Sequence, residues 1–133
     1  MTEDPEFLTV DDVFELHREQ IQGYGGDEGI RDRGLIEAAV AMPQQSFGGQ
    51  YFHADLFEMA AAYAFHLAES QAFVDGNKRT GLAAAYVFLS LNGHRLIESD
   101  DRLYQAMIAI GTRQLDKAGL AKILRDCATA DDE

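Results

Sequence analysis

Apolar residues recur at helical spacing in six successive stretches of this chain, separated by short polar or glycine-bearing turns. Thr9 is a good N-cap, with Asp11 and Asp12 in the first turn. Val10, Val13, Phe14, Leu16, His17 and Ile21 then form the apolar face of a first helix that should stop at Gly23. Asp32 can cap a second helix through Leu35, Ile36, Ala38, Ala39 and Val40, which Pro43 terminates. Residues 44–52 have no helical period and carry Phe47, Tyr51 and Phe52 around a Gly-Gly pair. They read either as a short hairpin or flap, or as a surface loop with its aromatics tucked inward. Two helices, about Leu56–Ser70 and Asn77–Leu91, are apolar on more than one face and rich in alanine. They should lie at the centre of a bundle. Asn92-Gly93 is a helix stop with a left-handed cap, and His94–Ile97 is short and extended. A fifth helix should start at Ser99 with Asp100 and Asp101 and end at Gly111, and a sixth should run from about Asp116 through Leu124. The acidic tail 128–133 is expected to fray. The pattern predicts an all-α, compact bundle of about six helices in a single domain, residues 1–133, with its core at about 8–127.

The connection between the two central helices is the stretch with chemistry in it: Gln71, Phe73, Asp75, Gly76, Asn77, Lys78 and Arg79. The first N–H groups of a helix lack internal partners and the helix dipole favours negative charge there, so a turn feeding a helix is a natural anion site. Lys78 and Arg79 put two cations in a first turn, where acids are usually preferred. That conflict points to an anion nearby, most simply a phosphate chain, with Asp75 as ligand of the accompanying Mg²⁺. Each residue also has a plainer role. Asp75 can cap the helix, Gly76 can serve only the turn, and Asn77 can cap instead of donating to a phosphate. Lys78 and Arg79 can pair with some of the chain's many carboxylates. Phe73 reads as a core anchor for the turn.

Eleven basic and 23 acidic residues give a net charge of -12. Such a surface repels nucleic acid and anionic membrane, and it suits a basic partner segment. No signal core and no apolar run of about 20 residues is present; a cytoplasmic protein is expected. The single cysteine, Cys127, excludes an internal disulfide. Gly25-Gly26-Asp27-Glu28-Gly29 lacks the lysine and hydroxyl residue of a phosphate-binding P-loop and reads as a structural turn. His66 lies just before the central connection and reads as a packed core residue, while His17, His53 and His94 carry no partner pattern.

The central connection resembles the signature of the Fic/Doc family, His-x-Phe-x-Asp/Glu-Gly/Ala-Asn-Gly/Lys-Arg, at Phe73, Asp75, Gly76, Asn77, Lys78 and Arg79. Lysine at 78 and leucine at 82 are choices of its Doc branch. The similarity extends through Gly25–Ala39 before the motif and Phe88–Gly93 after it, so that it covers roughly residues 8–97. The resemblance implies a toxin of a toxin–antitoxin pair. Its activity would be transfer of a phosphoryl group from ATP or another nucleoside triphosphate, with Mg²⁺, to a hydroxyl of a target protein. The implied target is the elongation factor that delivers aminoacyl-tRNA. It also implies that segment 44–52 is a flap that aligns the target's backbone. No self-inhibitory [S/T]-x-x-x-E-[G/N] helix is found, so control would come from a separate antitoxin segment. The chain departs from the motif at its first position, where the family's general-base histidine is Gln71. An amide cannot take a proton near neutral pH, so an impaired enzyme is expected. A natural divergence and a selected or introduced change both fit. Two rivals stand beside this reading: transfer of AMP, which Lys78 argues against, and a module that binds nucleotide or antitoxin without chemistry, which Gln71 supports.

Overall fold

The structure, a computed structural model, describes residues 4–97 and 100–130. Its six helices are α1 (Val10–Tyr24), α2 (Arg33–Ala41), α3 (Leu56–Ser70), α4 (Asn77–Leu91), α5 (Asp100–Gly111) and α6 (Lys117–Asp126). The bounds of α3 and α4 are those that periodicity predicts, and α1 runs one residue past its expected end. Pro43 ends α2 by turning the chain into a single 3-10 turn, Met42–Gln44. The expected start of α5 at Ser99 lies outside the described residues.

Local chemistry explains why the helices begin where they do. The Thr9 hydroxyl accepts from the Asp12 N–H while the Asp12 carboxylate accepts from the Thr9 N–H, a reciprocal capping box. Asp32, Asp55 and Asp116 cap α2, α3 and α6, each accepting from an N–H three residues on.

The core is centred on α3, which touches α2, α4, α5 and α6. Its residues Met59–Ala64 are all buried, and α4 answers with Ala84, Ala85, Phe88 and Leu89. The small residues let the two axes approach closely. The buried Tyr63 hydroxyl accepts from the Leu8 N–H at 2.8 Å, so the polar tip of the largest core side chain is partnered. Burial pushes the Tyr63 phenol up to about 12, so it stays protonated at any working pH.

Two small antiparallel ribbons edge the bundle. The first pairs β1 (Ser46–Phe47) with β2 (Gln50–Tyr51), so segment 44–52 is a hairpin. Phe47 and Phe52 are exposed and only Tyr51 packs inward, against Phe7. In the second, β3 (His94–Leu96) pairs with β4 (Ala128–Ala130). This corrects the expected frayed tail at 128–130. The open edge of β3 supplies backbone partners that no local pattern announces, and the Ile97 N–H adds a bond to the Cys127 carbonyl at 2.7 Å. Residues 131–133 lie outside the described part.

Gly81 marks the closest approach of α3 and α4: a Cβ there would stand 2.7 Å from the Ala64 carbonyl oxygen. Glycine to alanine inside a helix ordinarily stabilises by about 0.5–1 kcal/mol. Gly81→Ala is expected to reverse that sign and cost about 1–3 kcal/mol through overpacking, read as a lower urea midpoint at unchanged slope.

Candidate phosphate site at the start of helix α4

The connection between α3 and α4 is held in two left-handed positions. Gln71, the C-cap of α3, has φ 54° and ψ 33°, and Gly76, the N-cap of α4, has φ 78°. Glycine takes such a conformation freely, whereas a glutamine does not. Gln71 is exposed and its amide donates to the Ala68 carbonyl at 3.2 Å.

Between these points the chain is pinned from outside. The Arg31 and Asp32 N–H groups donate to the Ala72 carbonyl, and the Val74 N–H donates to the Gly29 carbonyl. The Asp27 N–H donates to Asp75 Oδ2 at 3.1 Å. The glycine-rich turn thus does more than its reading as a structural loop suggested. It lies along the motif loop as a wall of the site, and a Cβ on Gly26 would sit 3.3 Å from Asp75 Oδ2. From the core side Phe73 is fully buried, as expected of an anchor. His17 stacks on it with ring centroids 3.8 Å apart and planes at 9°. His17 Nε2 reaches the Asp75 carbonyl at 2.9 Å, and a carbonyl can only accept, so this nitrogen carries the proton. His17 is one residue of the site, with Tyr24 and Tyr104, that the sequence did not single out. Its only signal was a polar side chain in the apolar stripe of α1.

The open side is a cleft of about 520 Å³ whose wall includes Gln71, Asp75, Gly76, Lys78 and Arg79. The residues singled out from the sequence therefore meet around one space, with Asn77 placed differently from expectation. Its amide is buried and doubly engaged with Phe73, accepting from the N–H and donating to the carbonyl, each at 3.0 Å. The side chain is a clamp for the loop, and its backbone N–H is what remains for an anion. Asp75 is not the helix cap, because Gly76 occupies that place.

Among the α-helices whose N-caps are described, α4 alone has no side-chain cap. Its first N–H groups face an end that carries Lys78 and Arg79. Among the described residues neither cation has a carboxylate within ion-pair distance, despite the abundance of acids. Lys78 lies along α5, its Nζ about 3.5 Å from where a Cβ on Gly111 would be. The Arg79 guanidinium lies over the ring of Tyr24 at 3.8 Å and over that of Tyr104 at 4.6 Å. Asp75 Oδ2 is occupied by Asp27, which leaves Oδ1 to a cation. No group of three or more His, Cys, Asp or Glu side chains suited to a metal is found among the described residues. One carboxylate oxygen fits Mg²⁺, which takes few protein ligands and completes its shell with phosphate and water. It does not fit a self-sufficient metal site.

His66 does not join this cleft. It and His53 both accept from Lys117 Nζ at 3.2 Å, beside a separate cavity lined by His53, Glu58 and Lys117. Burial, then Lys117 and His53, pull the His66 imidazole down to about 4. Burial and Lys117 also lower His53.

An uncapped, cation-bearing helix start with Asp75 beside it is the feature that sets this helical domain apart. The model of the Fic/DOC family matches residues 7–89, more than half of the chain. The chain is 41% identical over 109 residues to "Toxin Doc" of Mycolicibacterium smegmatis, covering 80% of this chain and 84% of that protein. It is 31% identical over 118 residues to "Protein kinase doc" of Escherichia phage P1, covering 89% and 92%. The chain belongs to the Fic/Doc family. Among the described residues no helix is long and apolar enough to cross a membrane.

Two outcomes are expected. His17→Phe keeps the stack on Phe73 and removes the donor to Asp75, so its amide spectrum should shift locally over residues 73–76, with about 1 kcal/mol or more lost in stability. A histidine whose folded pKa lies below its unfolded value contributes stability above about pH 6.5 that drains away as the pH falls towards the folded value. The denaturant midpoint should therefore drop between pH 6.5 and 5, and His66→Gln should flatten that slope.

Proposed function

We propose that this chain is a Doc-type toxin of a toxin–antitoxin pair, built to move the γ-phosphoryl group of ATP onto a hydroxyl of a target protein and impaired by Gln71. The observation that carries the proposal is the uncapped start of α4, with Lys78, Arg79 and Asp75 lining one cleft beside it. Similarity to the phage P1 relative, a protein kinase by name, supports phosphoryl rather than AMP transfer.

Phosphoryl transfer asks a protein for positioning and charge neutralisation more than for covalent chemistry. The backbone N–H groups of Asn77 and its neighbours would take the phosphate oxygens, and Gly76 lets them come close. Arg79 would pair with them through its planar fork and Lys78 as a point charge. Asp75 Oδ1 would hold Mg²⁺, which neutralises charge on the triphosphate. In the reaction the target hydroxyl oxygen bonds to the γ-phosphorus, the bond to the bridging oxygen breaks, and nucleoside diphosphate leaves. The hydroxyl proton needs an acceptor, and the Gln71 amide is none. Loss of a general base costs about 10²–10⁴ in rate. Substrate binding would survive it. An antitoxin segment is the implied partner, and the aminoacyl-tRNA-delivering elongation factor is the proposed target. The chain's acidic surface, at net charge -12, favours a basic segment in the first role. A module that binds without chemistry is the second reading, and Gln71 is the observation that favours it.

The test uses Gln71→His. Left-handed backbone suits histidine better than glutamine, so this variant should fold without loss. With elongation factor and Mg²⁺, it should transfer label from γ-labelled ATP about 10²–10⁴ times faster than the parent, and no label from α-labelled ATP. Transfer of the α label instead would make the reaction nucleotidyl transfer. Absence of both labels, together with normal growth on expression, would sink the enzyme reading and leave the binding module.

A further inference from the structure

We infer that Tyr24 and Tyr104 are positioning residues for Arg79: two rings that hold its guanidinium by cation–π contact rather than by hydrogen bonds, so that its N–H groups stay open to an anion. The inference deepens the phosphate-site reading and rests on it.

Arg79 projects from the first turn of α4 between the last residue of α1 and the middle of α5. Its guanidinium carbon stands 3.8 Å from the Tyr24 ring centroid and 4.6 Å from that of Tyr104. Both distances are well inside the range of cation–π attraction. A guanidinium donates only in its own plane, through five N–H groups on a rigid fork. An aromatic ring above or below that plane therefore uses none of them. A carboxylate partner would do the opposite. It would occupy two donors and neutralise the charge, and an incoming phosphate would have to displace it. Among the described residues Arg79 has no such partner, in a chain with 23 acids. The rings keep the cation in place without competing for it.

Core packing does not account for Tyr24. It is 66% exposed at the end of α1, and its neighbours there are glycines. Tyr24 and Tyr104 both line the cleft that contains Asp75, Gly76 and Lys78. They also line an adjoining cleft of about 670 Å³ walled by Leu82, Val87 and Leu103. Arg79 thus stands where the two spaces meet. A flexible side chain at such a junction has many rotamers open to it, and binding must freeze one. Two rings against the guanidinium do this before the ligand arrives. Alpha-helical propensity and charge would be kept by lysine at 79, but the flat fit would not.

The test is calorimetric titration of the full chain with ATP and Mg²⁺, with Phe and Leu substitutions at each tyrosine. Tyr24→Phe and Tyr104→Phe keep the ring and should bind within about twofold of the parent. Tyr24→Leu and Tyr104→Leu should each weaken binding about three- to tenfold, the effect of freeing one rotamer-rich side chain, at an unchanged melting temperature. In an Arg79→Ala background the Leu substitutions should change nothing further. A second readout needs no nucleotide: the side-chain NMR signals of Arg79 should be ring-current shifted and slow-moving in the parent, and lose both properties in the Leu variants. Leu variants that bind like the parent, that weaken binding equally without Arg79, or that leave its signals unmoved overturn the inference. A parent that shows the shifted Arg79 signals and binds no ATP overturns the phosphate-site reading instead.

Discussion

The chain between α3 and α4 cannot hold itself. Its six residues, 71–76, include two left-handed positions, and no regular hydrogen-bond ladder runs through them. Everything that gives the site a shape is a constraint from elsewhere. Backbone groups of Asp27, Gly29, Arg31 and Asp32 fix the Asp75 carboxylate, Val74 and Ala72 on one side. The His17–Phe73 stack and the His17 bond to the Asp75 carbonyl fix the other. Asn77 closes the loop on itself through Phe73. The close approach of α3 and α4 at Gly81 sets the distance the loop has to span. Removing any one support leaves the ligand-facing atoms chemically intact but unplaced.

That arrangement explains why polar side chains are spent on the backbone here. Asn77 and His17 are among the buried polar residues of the protein, and each satisfies main-chain groups of the loop. A buried hydrogen bond contributes modestly to stability, yet leaving its partner unsatisfied is costly. The loop therefore has one low-energy course, and that course points the free N–H groups of α4, Lys78 and Arg79 into the cleft. Rigidity in the support lets charge be left uncompensated at the site.

Much of this was legible in the sequence, for reasons that can be named. The helices follow from periodicity and from Thr9, Asp32, Asp55 and Asp116, whose caps are local. The motif residues were legible because their spacing within a short stretch already forces them together. What was not legible depends on chain pairings of long separation. Ala128–Ala130 gains its strand from β3, more than thirty residues away in a run too short to show alternation. The turn at 25–29 becomes part of the site only by lying against Val74 and Asp75. His17 lies 58 positions from Asp75. Tyr24 and Tyr104, one at the end of α1 and one on α5, meet only over Arg79. The inward turn of the Asn77 side chain onto the Phe73 backbone has no signal in the residue type or its spacing.

The placement of Gln71 has a consequence for how binding and chemistry are divided. The proton-accepting position of the motif belongs to the C-terminal end of α3. The uncapped N–H groups, Lys78 and Arg79 belong to the N-terminal end of α4. The two ends share a loop but not a hydrogen bond between their side chains: the Gln71 amide donates back to Ala68, within its own helix. A substitution at 71 thus changes the chemistry of one helix end without loosening the other. The bonds of Asp75, Asn77 and His17 do not involve the side chain at 71. A change at 71 is therefore separable from loss of the loop's shape. A chain of this family can vary its first motif position while the bonds that shape the loop and the cation-bearing start of α4 stay independent of it.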